Sequence, residues 1–261
     1  MFDPVLKTIE FAESTQDSAR KLALSGSPSG TSVMAIVQTG GRGRRGATWF
    51  SPPGKNLAMS VILRPKLNPR EAPILGMLFS IGVADMVDKL CGTSTSSLKW
   101  PNDVLVHDRK IAGILSEGQI TNSCLEFVIL GVGLNVNSLE EDFPADLTES
   151  LTSCSILTGR KFDLKNVGMS ILMRLRELVG RLELEGSGFV SRLWQERWPH
   201  KDHSMCRDGV EGTAVGVDAD GALLVESADG RIVKINSGEV CLQRTAAASV
   251  VSQHFPCDAI F

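Results

Sequence analysis

Three arginines set among glycines are the first residues able to do chemistry. Residues 38–54 read Gln38-Thr39-Gly40-Gly41-Arg42-Gly43-Arg44-Arg45-Gly46-Ala47-Thr48-Trp49-Phe50-Ser51-Pro52-Pro53-Gly54. The glycines and the proline pair bar a regular element, so this stretch is a loop. Each guanidinium offers a planar fork of donors to a carboxylate or phosphate, and glycines let backbone lie close to a guest. The expected guest is an anion. Gly41 to Gly46 also matches G-x-G-x-x-G after the strand-like residues 33–37, which raises a dinucleotide fold. That fingerprint must open a helix and be followed about twenty residues on by an acidic residue. Here Pro52-Pro53-Gly54 follows instead, and the distant position is Arg64. A phosphate-binding Walker loop fails as well, because Gly46 precedes Ala47-Thr48 and not Lys-Ser or Lys-Thr. A solvated basic loop and a nonspecific RNA-binding arginine segment are the plain alternatives.

A second candidate is Lys110. It opens the run Lys110-Ile111-Ala112-Gly113-Ile114-Leu115, which reads as a largely buried strand, so its amine can project from a rigid frame past Gly113 into a cleft. Taken alone, it equally fits a lysine guarding an edge strand. Ser14 and Thr15 precede a short helical stretch ending before Gly26 and fit an N-cap, a position that also binds anions. Lys99-Trp100-Pro101-Asn102-Asp103 runs from a strand into a turn, with Lys99 solvated, Trp100 as core anchor and Asn102 and Asp103 as turn residues. Asn135 ends an apolar run, residues 124–136, that is interrupted by Gly131 and Gly133, where a ligand or a second backbone can approach.

These residues need a frame. Strands are expected over residues 5–11, 33–37, 56–63 and 97–100, then a hairpin turning at His107-Asp108, then 124–136. Helices are expected over residues 72–90, stopped by Gly92; over 147–157, stopped by Gly159; from Leu164 onward; and over 189–198, stopped by Pro199. Residues 200–203 form a polar linker whose two histidines, His200 and His203, are expected to be solvated. Short strands split by Asp-Gly turns follow over 209–235 and suggest a small barrel. The frame is α+β: a mixed or antiparallel sheet with helices packed on one side, followed by the barrel.

The chain of 261 residues, 43% of them hydrophobic, supports a real core. A net charge of −3 and a pI near 5.9 leave no global basic field for nucleic acid. Cys91, Cys124, Cys154, Cys206, Cys241 and Cys257 form no C-x-x-C pair and offer no zinc site. They read as reduced, mostly buried thiols in a cytoplasmic setting. No basic leader, apolar signal core or long apolar run points to a membrane.

Five motifs in order now carry a family resemblance: Ser14-Thr15; Gln38 with Gly41-Arg42-Gly43-Arg44-Arg45-Gly46; Lys99-Trp100-Pro101-Asn102-Asp103; Arg109-Lys110-Ile111-Ala112-Gly113-Ile114-Leu115; and Gly131-Val132-Gly133-Leu134-Asn135. Together they resemble the biotin protein ligases, over about residues 10–245. The resemblance implies the class II synthetase-like biotin/lipoate ligase fold over residues 1–199, an SH3-like cap over 200–245 and a tail over 246–261. It implies ATP-dependent ligation of biotin to a lysine of a carboxylase's biotin carrier domain through biotinyl-5′-AMP, with ATP and Mg²⁺ and no protein-bound metal. It assigns biotin binding to Ser14, Thr15, Gln16 (where the family's usual residue is Asn), Gln38, Arg42, Gly43, Arg44, Lys110 and Gly113. It assigns the nucleotide to Arg44, Arg45, Trp49, Asn102, Lys110 and Asn135, and the chemical step to Lys110, Arg44 and Arg42. Only thirteen residues precede Ser14, so a monofunctional, cytoplasmic ligase with no specific DNA binding is expected, as a monomer or homodimer. A lipoate ligase or octanoyl transferase shares the general fold and is the nearest rival; the loop around Gln38 resembles the biotin branch. A nicotinamide oxidoreductase and a noncatalytic RNA-binding module are more distant rivals.

Overall fold

The computed structural model describes residues 2–92, 96–207, 210–236 and 241–243. Its larger sheet has seven strands: β1 (Val5–Ala12), β2 (Thr31–Gln38), β3 (Leu57–Leu63), β4 (Ser96–Lys99), β5 (Asp103–Val106), β6 (Arg109–Thr121) and β7 (Cys124–Leu134). The spatial order is β1-β2-β3-β7-β6-β5-β4. β1 and β2 run parallel and all other neighbours antiparallel, so the sheet is mixed. The β5–β6 hairpin turns at His107 and Asp108, both at positive φ, as a tight primed turn requires.

Helices cover both faces, not the single face expected. α1 (Thr15–Leu24) lies on one face, where Ala19 and Ala23 meet Ile62, Phe127 and Ile129. On the other face lie α2 (Pro73–Cys91), α4 (Leu164–Glu185) and α5 (Gly188–Glu196), with the short α3 (Cys154–Thr158) beside the end of α2. β3 shows the effect of double cover: all seven of its residues are buried, Leu57, Met59, Val61 and Leu63 in the main core and Ile62 toward α1. α2 is buried almost all round, because it is enclosed by the sheet, by α4 and by α5; its sequence therefore lacks a polar face.

The helix expected over residues 147–157 is shorter, beginning only at Cys154. The preceding backbone is taken by the sheet. The N–H of Lys110 donates to the Ser150 carbonyl at 2.7 Å and the N–H of Thr152 donates to the Lys110 carbonyl at 3.0 Å. Lys110 thus has Leu105 on one side and Leu151 on the other, which removes the edge-strand reading.

The expected barrel is a five-stranded antiparallel sheet, β8 (Ser204–Arg207), β9 (Val210–Val217), β10 (Leu223–Glu226), β11 (Ile232–Ile235) and β12 (Cys241–Gln243), in the order β11-β10-β9-β8-β12. It is seated on the larger unit. Trp100 Nε1 donates to the Gly221 carbonyl at 3.1 Å, and Met205, Ala214, Val217, Leu223 and Val225 join the main core. The tail over 246–261 lies outside the described residues. Among the described residues, no helix is long and apolar enough to cross a membrane.

Two smaller expectations are corrected. Of the described cysteines whose burial is known, only Cys154 is buried; Cys91 and Cys206 are half-buried and Cys124 is exposed. His200 is half-buried, not solvated: burial, helped by His203 and Lys99, holds its pKa down to about 4.

Candidate active site

The arginine loop is a small hairpin. Gly43 N–H donates to the Ala47 carbonyl, Trp49 N–H donates to the Gly41 carbonyl, and Arg42 bridges Thr48. Arg45 and Gly46 turn it at positive φ. The hairpin returns Trp49 to the sheet over two glycines. A methyl group added at Gly133 would stand 2.1 Å from Trp49 Cε2, and one at Gly113 would stand 3.1 Å from Trp49 Cζ3. The strand glycines make a slot for an aromatic plane.

Into the same cleft come Ser14, Thr15, Gln16, Gln38, Arg42, Gly43, Arg44, Trp49, Ser60, Asn102, Asp103, Lys110 and Gly113. Sequence motifs separated by up to a hundred residues are therefore one site. With Trp49 seated, the free volume is only about 60 Å³. Ligand sites commonly need roughly 300 Å³ or more, so the cleft as it stands is too small for a substrate.

Lys110 stands on an inner strand with its amine 2.9 Å from Asp103 Oδ1, both side chains 16% exposed, and 5.7 Å from the Trp49 ring centroid. Cation and carboxylate hold each other while the indole face adds a weaker attraction. Asn102 fixes the neighbouring turn: its Nδ2 donates to the Ile114 carbonyl at 2.7 Å and its own carbonyl accepts from Ile114 N–H.

At the opening of α1, the Gln38 carbonyl oxygen accepts from Thr15 N–H at 2.9 Å and from Thr15 Oγ1 at 3.2 Å. Gln38 thereby does the capping that sequence alone gave to Ser14 or Thr15. Ser14 occupies the N-cap position without a side-chain capping bond and lines the cleft instead. Thr15 Oγ1 is also 2.8 Å from Ser60 Oγ.

Arg42 is differently engaged from the expected anion clamp. Its fork grips Asp17 in two bonds, at 2.6 and 2.7 Å, and these hold the Asp17 carboxyl below its usual range. Arg44 lines the cleft and an adjoining cavity of about 350 Å³ between the β6–β7 hairpin, α2 and the smaller sheet. Arg45 and Asn135 are not on the cleft wall. Asn135 is buried beneath it, where its Oδ1 accepts from Asn56 Nδ2 at 3.1 Å. Asp103 and Ser60 line the cleft although no site role was assigned to them from the sequence. A serine inside the otherwise apolar run 57–63 was the available signal for one of them, since a buried hydroxyl needs a partner.

A lysine, two arginines and the start of α1 meet around one cleft, with Lys110 paired to Asp103, Arg42 to Asp17 and the Thr15 N–H capped by Gln38. Residues 8–135 match the Biotin/lipoate A/B protein ligase family and residues 207–242 match the Biotin protein ligase C terminal domain. The bifunctional ligase/repressor BirA of Bacillus subtilis is 36% identical over 231 residues, 87% of this chain and 70% of that protein. The biotin–[acetyl-CoA-carboxylase] ligase of Paracoccus denitrificans is 39% identical over 127 residues, 48% of this chain and 51% of that one. The structure of the Aquifex aeolicus biotin protein ligase in complex with biotin and ATP superposes with a TM-score of 0.76 at 28% identity, covering 94% of this chain and all of that one. The chain belongs to the biotin/lipoate protein ligase family, on its biotin protein ligase branch.

Proposed function

We propose that this chain ligates biotin to a lysine of a carboxylase's biotin carrier domain, at the expense of ATP. In the first step an oxygen of the biotin carboxylate attacks the α-phosphorus, the bond to the β-phosphate oxygen breaks, and pyrophosphate leaves with that electron pair. In the second step a neutral lysine amine attacks the acyl carbon, an amide forms with loss of a proton, and AMP departs. Carboxylate and phosphate repel each other, so the first step needs fixed positive charge at the reacting oxygens. The observation that carries this reading is Lys110: a cation on an inner strand, paired with Asp103, beside the strand glycines over which Trp49 lies.

Ser14, Thr15, Gln16, Gln38 and Gly43 form the biotin end in this reading, and Lys110, Gly113, Arg42 and Arg44 the reacting centre. Asn102, Trp49 and, from outside the present cleft wall, Arg45 and Asn135 serve the nucleotide. Trp49 then acts as an aromatic lid that leaves its slot and closes on adenine, excluding water from the adenylate. Mg²⁺ would enter on the polyphosphate, and Asp103 is the cleft carboxylate that would hold it. Such an ion neutralises phosphate charge.

Exchange of labelled pyrophosphate into ATP tests the reading. Exchange that depends on biotin and not on lipoate is expected; exchange with lipoate alone moves the chain to the rival branch, and none with either acid ends the ligase reading.

A further inference from the structure

The fork of Arg42 is occupied from within the chain. Its Nη1 donates to Asp17 Oδ2 at 2.6 Å and its Nη2 to Asp17 Oδ1 at 2.7 Å, so the edge of the guanidinium that could grip a phosphate or a carboxylate is already matched. Asp17 lies in the first turn of α1, where a carboxylate is favoured, and is not among the residues of the cleft wall. Glu13 and Glu117 add their negative fields at Arg42. An incoming anion would have to displace one carboxylate in the field of two more. The pair also joins two elements. The base of the arginine hairpin is pinned to the end of β1, by Thr39 N–H to the Ala12 carbonyl at 3.2 Å and by Gly40 N–H to the Glu13 carbonyl at 2.7 Å. Farther out the two limbs close on each other, Gly41 with Trp49, Arg42 with Thr48 and Gly43 with Ala47. Asp17 ties this outer part to α1, and Gly43, Arg44, Ala47, Thr48 and Trp49 of the same part line the cleft.

We infer that Asp17 is a positioning residue and that the Asp17–Arg42 pair is a strut, which ties the arginine hairpin to α1 and sets where Gly43, Arg44 and Trp49 stand at the cleft. The mechanical consequence rests on the geometry alone, and the kinetic one on the biotin reading above. In that reading Arg42 serves the reacting centre by holding Arg44 and Trp49 in place, while Arg44 and Lys110 supply the positive charge. The strut spans the acid's end of the cleft, with Ser14, Thr15 and Gln16 on the α1 side and Gly43 on the hairpin. Loosening it therefore weakens the hold on the acid more than the rate at which the held acid reacts. The two side chains are 40% and 42% exposed, so the effect is graded and not all-or-none.

Two measurements on wild type, Asp17→Asn, Arg42→Gln and the double variant test this. The first is amide hydrogen exchange of the free protein, read by NMR. The N–H groups of Gly43 and Trp49, which donate across the hairpin, should exchange about three- to fivefold faster in Asp17→Asn, while those of β3 keep their wild-type rates. Unchanged protection of Gly43 and Trp49 overturns the inference, whatever reaction the protein carries out. The second is steady-state pyrophosphate exchange. Asp17→Asn should raise KM for biotin about three- to fivefold and leave kcat within about twofold, and Asp17→Glu, which keeps the carboxylate, should bring KM back to within about twofold of wild type. Arg42→Gln should raise KM for biotin to the same extent, and the double variant should add less than about twofold to either single change, because each breaks the same strut. A direct anion clamp gives the opposite pattern. Arg42→Gln would then lower kcat more than tenfold with or without Asp17→Asn, and Asp17→Asn alone, by freeing the fork, would lower KM; either result overturns the inference and leaves the ligase reading intact. Wild-type protein without biotin-dependent pyrophosphate exchange removes the ligase reading and the kinetic consequence with it, and the protection of Gly43 and Trp49 then decides for or against the strut.

Discussion

Lys110→Gln keeps most of the side chain and removes its charge, which makes it the sharpest single perturbation of the site. An ammonium about 4 Å from developing negative charge contributes roughly 4 kcal/mol at an effective dielectric near 20, and loss of one preorganised donor typically costs about 10²–10³-fold in rate. The turnover of biotin-dependent pyrophosphate exchange should therefore fall by about 10²–10³-fold. The substitution also strands Asp103, whose partner now sits at 2.9 Å with both side chains 16% exposed. Leaving a buried carboxylate unpaired costs up to about 3–5 kcal/mol, and residual exposure brings that to about 1–3 here. Adding Asp103→Asn removes the stranded charge. The double variant should recover most of the stability in a urea titration while its rate stays low. A single variant that keeps more than a tenth of the wild-type turnover would refute the assignment of charge stabilisation to Lys110. Recovery of rate in the double variant would show that the loss came from Asp103.

Three further outcomes follow from particular contacts. Trp49→Ala should raise KM for ATP at least fivefold, since stacking of an aromatic ring on a base is worth about 1–3 kcal/mol; an unchanged value in initial-rate measurements separates Trp49 from the nucleotide. His200 has a folded pKa of about 4 against an ordinary 6.5, because burial and then His203 and Lys99 oppose its charge. The unfolded chain takes up that proton first, so wild-type stability falls as pH drops from about 6.5 toward 4. His200→Gln should flatten the fall, read as the difference in urea midpoint between the two ends of that window. Arg197 joins Asp85 and Asp88 at 2.6 Å each and Ser96 Oγ at 2.9 Å. Arg197→Met should cost about 2–4 kcal/mol in urea unfolding, below the full cost of a buried network because the residue is 26% exposed.

The motif residues were legible because their types are unusual for their places. A lysine opening an apolar run, arginines between glycines and glycines within a strand each contradict simple burial or simple exposure. What could not be read was through-space pairing. Asp103 looked like a turn residue because its partner is seven positions on, across a hairpin. Glu117 pairs with residues about a hundred positions away, so no local pattern announces it. The one-sided sheet was misjudged because α1 is short and its buried face is carried by Ala19 and Ala23, small residues that give a weak apolar signal. Residues 147–153 carry helix-compatible side chains, yet their backbone groups complete the hydrogen bonding of Lys110, and tertiary pairing prevailed over local propensity.

The most direct measurement follows the carboxylate oxygen. Biotin labelled with ¹⁸O in its carboxyl group is turned over with ATP and a biotin carrier domain, and the products are read by mass spectrometry. Activation at the α-phosphorus predicts one labelled oxygen in AMP and none in pyrophosphate or inorganic phosphate. Label in phosphate or pyrophosphate would mean attack at another phosphorus, and label absent from every nucleotide and phosphate product would contradict adenylation altogether.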